Sequence, residues 1–208
     1  MPRLKVCGVT DGDFASAAVR MGADYIGVIF AEGSPRRVDE KTAIAIGSAA
    51  KPAKVVGVFA GTNICDIVSI SRRVPMDVVQ LHGDYGAEAV STLKRLGFEV
   101  WRLDGGEYAG EDATLLDGRA GDRRGGTGRL ADWSRVAELK NGGRRVVLAG
   151  GISTDNIADA IATCADVIDV NSSLETAPGV KSIALLSKTA EAFSGKMYSQ
   201  PGTEGWGP

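Results

Sequence analysis

Histidine is almost missing from this sequence, which contains a single one, His82. Zinc sites built on several histidine ligands are therefore excluded, and any Ser-His-Asp arrangement would have to use this one residue. Long apolar runs are missing too, since the longest, such as residues 54–60, are too short to span a bilayer. Basic residues are not in excess, with 24 Lys and Arg against 26 Asp and Glu. We therefore expect neither a nucleic-acid partner nor a membrane partner.

Cysteine is also scarce. The three cysteines, Cys7, Cys65 and Cys164, are widely spaced and form no CxxC pair. Such a scattered, odd-numbered set argues against a disulfide framework and against a cysteine-rich zinc site, and it favours a reducing cytoplasm. The N-terminus enters a strand-like run at once, which leaves no room for a signal peptide. A cytoplasmic location is the expectation.

Glycine, in contrast, is abundant, and two kinds of segment alternate along the chain. The 28 glycines exceed the ordinary share of ~7% and predict many tight turns or close approaches of the backbone to a ligand. Short apolar runs with many β-branched residues predict strands buried on both faces. There are eight of them, at residues 3–9, 24–30, 54–60, 77–81, 99–103, 113–116, 144–149 and 166–170.

Segments with helical periodicity separate these strands. Helices are predicted after Asp11, after Asn63 and before Gly97, and the last one covers residues 181–193. Another covers residues 157–161, with a cap at 153–155. Cys65 and Cys164 are also expected to lie on helices, away from the strand ends. The crossover at residues 104–112 is glycine-rich and too short for a helix.

Eight strands alternating with about seven helices favour a single (β/α)8 TIM barrel of the α/β class. An open doubly wound sheet is the alternative, but it usually has fewer strands. The barrel is expected to occupy residues 1–196, with 197–208 as a flexible tail. At 208 residues the barrel is compact, because ~250 residues are typical of the fold.

The active site of such a barrel lies at the C-terminal ends of its strands. Gly150 and Gly151 follow the seventh predicted strand, and Ser172 and Ser173 follow the eighth. Loops at these two places commonly bind phosphate through backbone N–H groups. We therefore predict a phosphate site there, with ordinary turns as the alternative.

Three reactive or charged side chains also stand near the C-terminal ends of predicted strands or in the loops that follow them. By position alone, Cys7 is most simply an inert small hydrophobe, and a role as base would need a thiolate stabilised by positive charge. Asp117 is equally well explained as a general acid or as a surface residue that caps a turn. Arg36 could bind a substrate carboxylate, although adjacent arginines more often form a solvated pair. Residues 118–133 form a long loop of the kind that often covers an active site.

Taken together, these motifs resemble the phosphoribosylanthranilate isomerase family, from the first strand to the start of the last helix. Each motif is weak alone, but their order and spacing are specific. The matching segments are 5–10 (Lys-Val-Cys-Gly-Val-Thr), 34–36 (Ser-Pro-Arg), 80–83 (Gln-Leu-His-Gly), 115–117 (Leu-Leu-Asp), 125–128 (Gly-Gly-Thr-Gly), 132–133 (Asp-Trp), 148–151 (Leu-Ala-Gly-Gly), 169–175 (Asp-Val-Asn-Ser-Ser-Leu-Glu) and 178–181 (Pro-Gly-Val-Lys).

The resemblance implies a reaction in tryptophan biosynthesis. The family converts N-(5-phosphoribosyl)anthranilate into 1-(2-carboxyphenylamino)-1-deoxyribulose 5-phosphate, an Amadori rearrangement without cofactor or metal. By resemblance, Asp117 is the general acid that opens the ribose ring. Cys7 is then the general base that removes the C2 proton, which reverses the preference for an inert cysteine.

The resemblance also implies binding roles. Arg36 would bind the anthranilate carboxylate, Asp169 would help to position the substrate, and His82 would line the pocket without transferring a proton. The phosphate would be held by the two loops after the last strands. Ser173 departs from the family, which often has glycine there, so phosphate affinity would suffer if that position required a positive φ. Ser182 stands where the family commonly has Asp.

Two other functions compete with this interpretation. An isomerase of histidine biosynthesis, or one enzyme serving both pathways, would resemble this chain at the phosphate loops. That family carries Asp on the first strand and acts on a substrate with phosphates at both ends, so Cys7 and the single phosphate site favour the tryptophan substrate. A non-catalytic phosphosugar-binding barrel is the second, and intact Cys7, Asp117 and Arg36 argue against it. The expected partner is a small phosphoribosyl substrate, and both a monomer and a homodimer remain open.

Overall fold

Eight parallel strands, taken in chain order, close into a barrel in which the last pairs with the first. The structure is a computed structural model that describes residues 1–105, 107–118 and 133–195. The strands are β1 (Arg3–Val6), β2 (Tyr25–Ile29), β3 (Lys54–Phe59), β4 (Val78–Leu81), β5 (Glu99–Leu103), β6 (Ala113–Asp117), β7 (Val146–Ala149) and β8 (Val167–Val170). The predicted (β/α)8 barrel is confirmed.

Helices connect the strands on the outside of the barrel. They are α1 (Gly12–Arg20), α2 (Glu40–Ala49), α3 (Ile64–Arg73), α4 (Ala87–Arg95), α5 (Ser134–Asn141), α6 (Ile157–Ala162) and α7 (Ile183–Phe193). No helix lies among the described residues between β5 and β6, as the short crossover predicted. Within the described ranges, none of the helices is long and apolar enough to cross a membrane.

Three local predictions were wrong. The last helix begins at Ile183, because Lys181 is held extended in β10 (Val180–Lys181), which pairs antiparallel with β9 (Glu175–Ala177). Residues 153–155 do not cap α6. The Asn156 side chain accepts a hydrogen bond from the Ser153 N–H, and Asn156 itself, rather than one of these residues, occupies the N-cap position. Cys164 lies in the turn after α6, at φ +62°, and not on a helix.

Side chains along each strand alternate between the inside of the barrel and the surrounding helices. Leu4 and Val6 pack in the outer apolar layer against the helices, whereas Cys7 belongs to the inner cluster. The inner cluster is filled by Tyr25, Val56, Val78, Trp101, Ala113, Leu115, Val147 and Val167. The barrel is thus a packed core, and only its ends can hold a ligand.

Four aspartates repeat along the N-terminal end of the barrel. Each one precedes an even-numbered strand, and its carboxylate accepts the backbone N–H of the preceding odd-numbered strand. The four pairs are Asp24 with Leu4 at 2.9 Å, Asp77 with Val55 at 2.8 Å, Asp112 with Val100 at 2.8 Å, and Asp166 with Val146 at 2.7 Å. These bonds satisfy backbone donors at strand starts, where the ladder supplies no partner. They fix the end of the barrel that lies opposite the cavity described next.

The predicted tail falls at residues 197–208, and the long loop after β6, with its Gly-Gly-Thr-Gly motif, falls mostly at 119–132. Both lie outside the described residues.

Candidate active site

The C-terminal ends of the strands surround a cavity of about 250 Å³. Ser173, the next residue after Ser172, is the one predicted site residue that does not line it. The fold therefore brings together loops that follow six different strands. The predicted residues that line the cavity are Cys7, Arg36, His82, Asp117, Gly150, Gly151, Asp169 and Ser172.

Cys7 directly follows β1 and is 5% exposed. Because side chains two residues apart on a strand share a face, Lys5 points to the same interior. Burial raises the pKa of the Cys7 thiol, the Lys5 ammonium opposes this rise, and the Asp169 carboxylate adds to it. The positive charge that a thiolate needs is therefore present beside Cys7, although burial outweighs it and the pKa of the thiol is raised.

A glycine directly after Cys7 lets two loops close over the thiol. Gly8 has a φ of +67°, and a Cβ there would lie 2.7 Å from both Arg36 Cδ and Asn171 Oδ1. Any side chain at this position would be strained and would push these groups away. The sequence motif Cys-Gly is thus explained by packing around Cys7.

Asp117 is the last residue of β6, and its side chain is partly exposed to the cavity. Its Oδ2 lies 3.2 Å from Nε2 of His82, which follows β4. Gly150 approaches from β7 so closely that a Cβ there would lie 2.6 Å from Asp117 Oδ1. The carboxyl group is therefore held between an imidazole and a backbone segment.

Arg36 lies at the mouth of the cavity and forms a two-point ion pair with Glu175. Its Nε and one terminal nitrogen lie 2.7 and 2.6 Å from the two carboxylate oxygens. Lys181 lies 2.8 Å from the same carboxylate and donates to the backbone and side-chain oxygens of Asn171, both at 2.9 Å. Burial opposes the charge of Glu175, but Arg36 and Lys181 lower the pKa of this carboxyl to about 2. Arg36 is thus fixed by the hairpin after β8, and a solvated arginine pair is not what the structure contains.

Asp169 forms part of the cavity floor and is paired with Lys5, which is completely buried. The ammonium lies 2.5 Å from Asp169 Oδ2 and donates to Gln80 Oε1 at 2.9 Å. Burial is the largest single effect and opposes the charge of Lys5, but Asp169 and Cys7 together outweigh it, so the pKa of Lys5 is raised. The other oxygen, Oδ1, is buried and has no hydrogen-bond partner within the described residues. An acceptor of this kind is suited to an N–H or O–H of a ligand.

The predicted phosphate loops lie side by side at the cavity edge. Gly150 and Gly151 have φ values of +88° and +74°, and Ser172 and Ser173 begin a short 3₁₀ turn. Ser173 is not among the described residues with positive φ, so serine is not strained there. Its Oγ is buried and has no hydrogen-bond partner among the residues that the structure describes.

A larger depression, of about 660 Å³, lies at the opposite end of the barrel. Its most prominent cation, Arg145, is already paired with Glu99 at 2.5 Å and with the Tyr25 hydroxyl at 2.8 Å. These contacts stabilise the N-terminal end of the barrel, whereas the candidate active site lies at the C-terminal end.

Sequence reasoning missed three residues that shape the site. Lys5, Glu175 and Lys181 stood within matching motifs, but nothing in those motifs indicated that they pair with Asp169 and Arg36. A lysine inside an otherwise apolar strand is the one local signal, because buried charges are rarely unpaired.

Comparison with known proteins agrees with this geometry. The sequence model of a family described as N-(5'phosphoribosyl)anthranilate (PRA) isomerase matches residues 4–192. An N-(5'-phosphoribosyl)anthranilate isomerase of Pseudomonas putida is 37% identical over 202 residues, covering 92% of this chain and 95% of the relative.

Solved structures agree as well. A phosphoribosyl anthranilate isomerase from Thermus thermophilus superposes with a TM-score of 0.82 at 31% identity, covering 93% of this chain and 99% of that one. An isomerase solved in complex with reduced 1-(o-carboxyphenylamino)-1-deoxyribulose 5-phosphate gives a TM-score of 0.79 at 26% identity, covering 94% and 100%. The chain belongs to the N-(5'-phosphoribosyl)anthranilate isomerase family, the aldose–ketose isomerases of tryptophan biosynthesis.

Proposed function

We propose that this enzyme rearranges N-(5-phosphoribosyl)anthranilate with Asp117 as general acid and Cys7 as general base. The observation that carries the proposal is that both side chains line one cavity, together with Arg36 and the two loops predicted to bind phosphate. An isomerisation of this kind needs an acid and a base on different sides of a sugar. Asp117 ends β6 and Cys7 follows β1, so the two groups approach a ligand from different sides of the barrel.

The first step opens the ribose ring. Protonated Asp117 gives its proton to the ring oxygen while the C1–O bond breaks, and the aniline nitrogen forms a protonated Schiff base with C1. The aspartate that remains carries a negative charge near His82, whose Nε2 lies 3.2 Å from Asp117 Oδ2. An N–H donated by this imidazole would stabilise the carboxylate.

The second step removes the proton at C2. The Cys7 thiolate takes this proton, and the C–H electron pair neutralises the Schiff base to give an enolamine. The enolamine then moves its hydroxyl proton to C1 and becomes the ketone, so that substrate and product are isomers. A cationic Schiff base makes the C2 proton acidic, which allows a thiolate of moderate basicity to act.

Binding at two ends would hold the sugar between acid and base. Arg36 has one edge occupied by Glu175, and its remaining N–H groups suit the anthranilate carboxylate. Gly150, Gly151, Ser172 and Ser173 would surround the phosphate with backbone N–H groups and hydroxyls. The buried Oδ1 of Asp169 would accept a hydrogen bond from the substrate.

The test is the loss of anthranilate-conjugate fluorescence, with the substrate generated in situ, for wild type, Cys7→Ser and Asp117→Asn. Each variant is expected to lose at least ~100-fold in kcat, the scale of a missing general acid or base. Cys65→Ser, at an exposed cysteine of α3, and Asp84→Asn, at an exposed aspartate, are the matched controls and should retain wild-type activity. Full activity in either site variant would contradict its assigned role.

An inactive wild type would contradict the proposal as a whole. The phosphoribosyl carboxamide of histidine biosynthesis would then be the next substrate, and binding of a product analogue without turnover would indicate a non-catalytic barrel. The proposal places the enzyme in the cytoplasm, acting on a small phosphoribosyl substrate as a monomer or homodimer.

A further inference from the structure

Lys5 is a lysine with no access to solvent in the middle of the barrel, and the proposed reaction gives it no role. Burying an ammonium group costs free energy unless the charge is paired and hydrogen-bonded. Asp169 and Gln80 fix it from two other strands, at 2.5 and 2.9 Å. It lies two residues before Cys7 on the same inward face of the first strand.

We propose that Lys5 is a positioning residue for the general base: its fixed ammonium stabilises the thiolate form of Cys7 and prevents Asp169 from suppressing it. This inference rests on the proposed role of Cys7. Without Lys5, the carboxylate of Asp169 would stand alone below the thiol and repel a second negative charge. Burial raises the pKa of the Asp169 carboxyl and the Lys5 ammonium opposes this rise, so Lys5 favours the ionised carboxylate in the cavity floor as well as the thiolate above it.

The other charges around Cys7 leave this role to Lys5. Among the described residues, Lys181 and Arg36 also act on Cys7 electrostatically. Both contact Glu175 on the hairpin after β8, and the effect of Lys181 on the thiol is smaller than that of Lys5. Asp117 lies across the cavity and is neutral when it acts as the acid.

The electrostatic balance at the thiol follows the same order. Burial raises the pKa of Cys7 most, Lys5 gives the largest opposing effect, and Asp169 raises the pKa by less than Lys5 lowers it. Removal of Lys5 should therefore raise the pKa of Cys7 further. Removal of Lys5 and Asp169 together should also raise it, but by a smaller amount.

The test titrates Cys7 through the ultraviolet absorbance of its thiolate, without substrate. Cys65→Ser and Cys164→Ser are introduced first, so that Cys7 is the only thiol. In this background Lys5→Met is expected to raise the titration midpoint by about one unit or more, the effect of a nearby opposite charge. Lys54→Met, at the other end of the barrel, is the matched control and should leave the midpoint unchanged.

A buried carboxylate without its partner can unfold a protein, so Lys5→Met is also made together with Asp169→Asn. The double variant should titrate above wild type and below Lys5→Met. A midpoint at or below the wild-type value in the double variant, or an unchanged midpoint in a folded Lys5→Met, would overturn the inference. A merely structural role predicts lower stability with no shift.

Kinetic measurements distinguish a failure of this inference from a failure of the proposed function. The limb of the kcat/KM profile that rises with pH should shift upward in Lys5→Met by the same amount as the thiol titration. If the thiol shifts while Cys7→Ser remains fully active, the role of Cys7 as base fails and the electrostatic role of Lys5 stands. If Cys7→Ser is inactive and the thiol does not shift, the base stands and the role of Lys5 fails.

Discussion

His82 Nε2 lies 3.2 Å from Asp117 Oδ2, so the only histidine of the chain contacts the proposed general acid. If Asp117 is the acid, as proposed, we expect the imidazole to act indirectly, by orienting the carboxyl group and stabilising its charge after the proton has left. His82→Ala is therefore expected to lower kcat by about 10-fold, because that factor corresponds to the free energy of one hydrogen bond to a charged group. Steady-state kinetics with the fluorescent substrate measure this effect.

The conservative variant His82→Gln should recover part of the activity, because its amide nitrogen can reach the position of Nε2. A loss in His82→Ala as large as that in Asp117→Asn would instead make the imidazole a proton-transfer group.

Glu175 forms ion pairs with Arg36 and Lys181, and these pairs predict a pH-dependent stability. The folded-state pKa of about 2 lies below the ordinary value of 4.5. The pairs therefore stabilise the fold above about pH 4.5, and this contribution is lost as the pH falls towards 2. Glu175→Gln should lower the free energy of unfolding by up to about 3 kcal/mol at pH 7, since one pKa unit is worth about 1.4 kcal/mol.

Urea unfolding at several pH values checks this prediction. The difference between wild type and Glu175→Gln should shrink as the pH is lowered from about 5 to about 3. Glu40→Gln removes an exposed ion pair with Arg73 and should leave stability nearly unchanged at every pH, because solvent screens such a pair. A pH-independent difference at Glu175 would show that lost packing, and not charge, is responsible.

The repeated aspartates at the N-terminal end of the barrel are expected to contribute to stability but not to catalysis. Asp77→Ala removes the acceptor of the Val55 N–H and should cost about 1–3 kcal/mol of unfolding free energy, as for a donor left unsatisfied. kcat and KM should remain unchanged, because the cavity lies at the other end of the barrel. Asp13→Ala, at an exposed position of α1, is the control for loss of a charge. A fall in kcat without a fall in stability would contradict this separation of the two ends.

The strands and the site's location could be predicted because both depend on short-range sequence. An apolar run such as residues 54–60 predicts a buried strand by itself, and the residues at the C-terminal end of each strand, or directly after it, must lie at one end of a parallel barrel. Cys7, Asp117 and Gly150 were found in this way. Helix starts such as Asp11 and Asn63 were also readable, since each accepts a hydrogen bond within its own first turn.

The ion pairs could not be predicted, because they depend on closure of the barrel. Lys5 and Asp169 are separated by 164 positions in the chain and meet only because β8 pairs with β1. The partner of Arg36 was hidden for a related reason: Glu175 and Lys181 belong to a short hairpin, whereas the pattern of residues 181–193 predicts one continuous helix. The sequence contained the charges, but their pairing is a property of the closed fold.

Gly150 has two reasons to be glycine, and a comparison with Gly97 separates them. Both have a positive φ, of +88° and +90°, but a Cβ at Gly150 would overlap the Gly118 nitrogen and lie 2.6 Å from Asp117 Oδ1. A Cβ at Gly97 would meet nothing within 4 Å. Each alanine variant should lose about 1–2 kcal/mol of stability from its backbone conformation alone. Only Gly150→Ala should also lower kcat, by at least about 10-fold, because it displaces the acid from its position. Thermal unfolding and fluorescence kinetics on both variants provide the test, and equal kcat values would mean that the loop yields without moving Asp117.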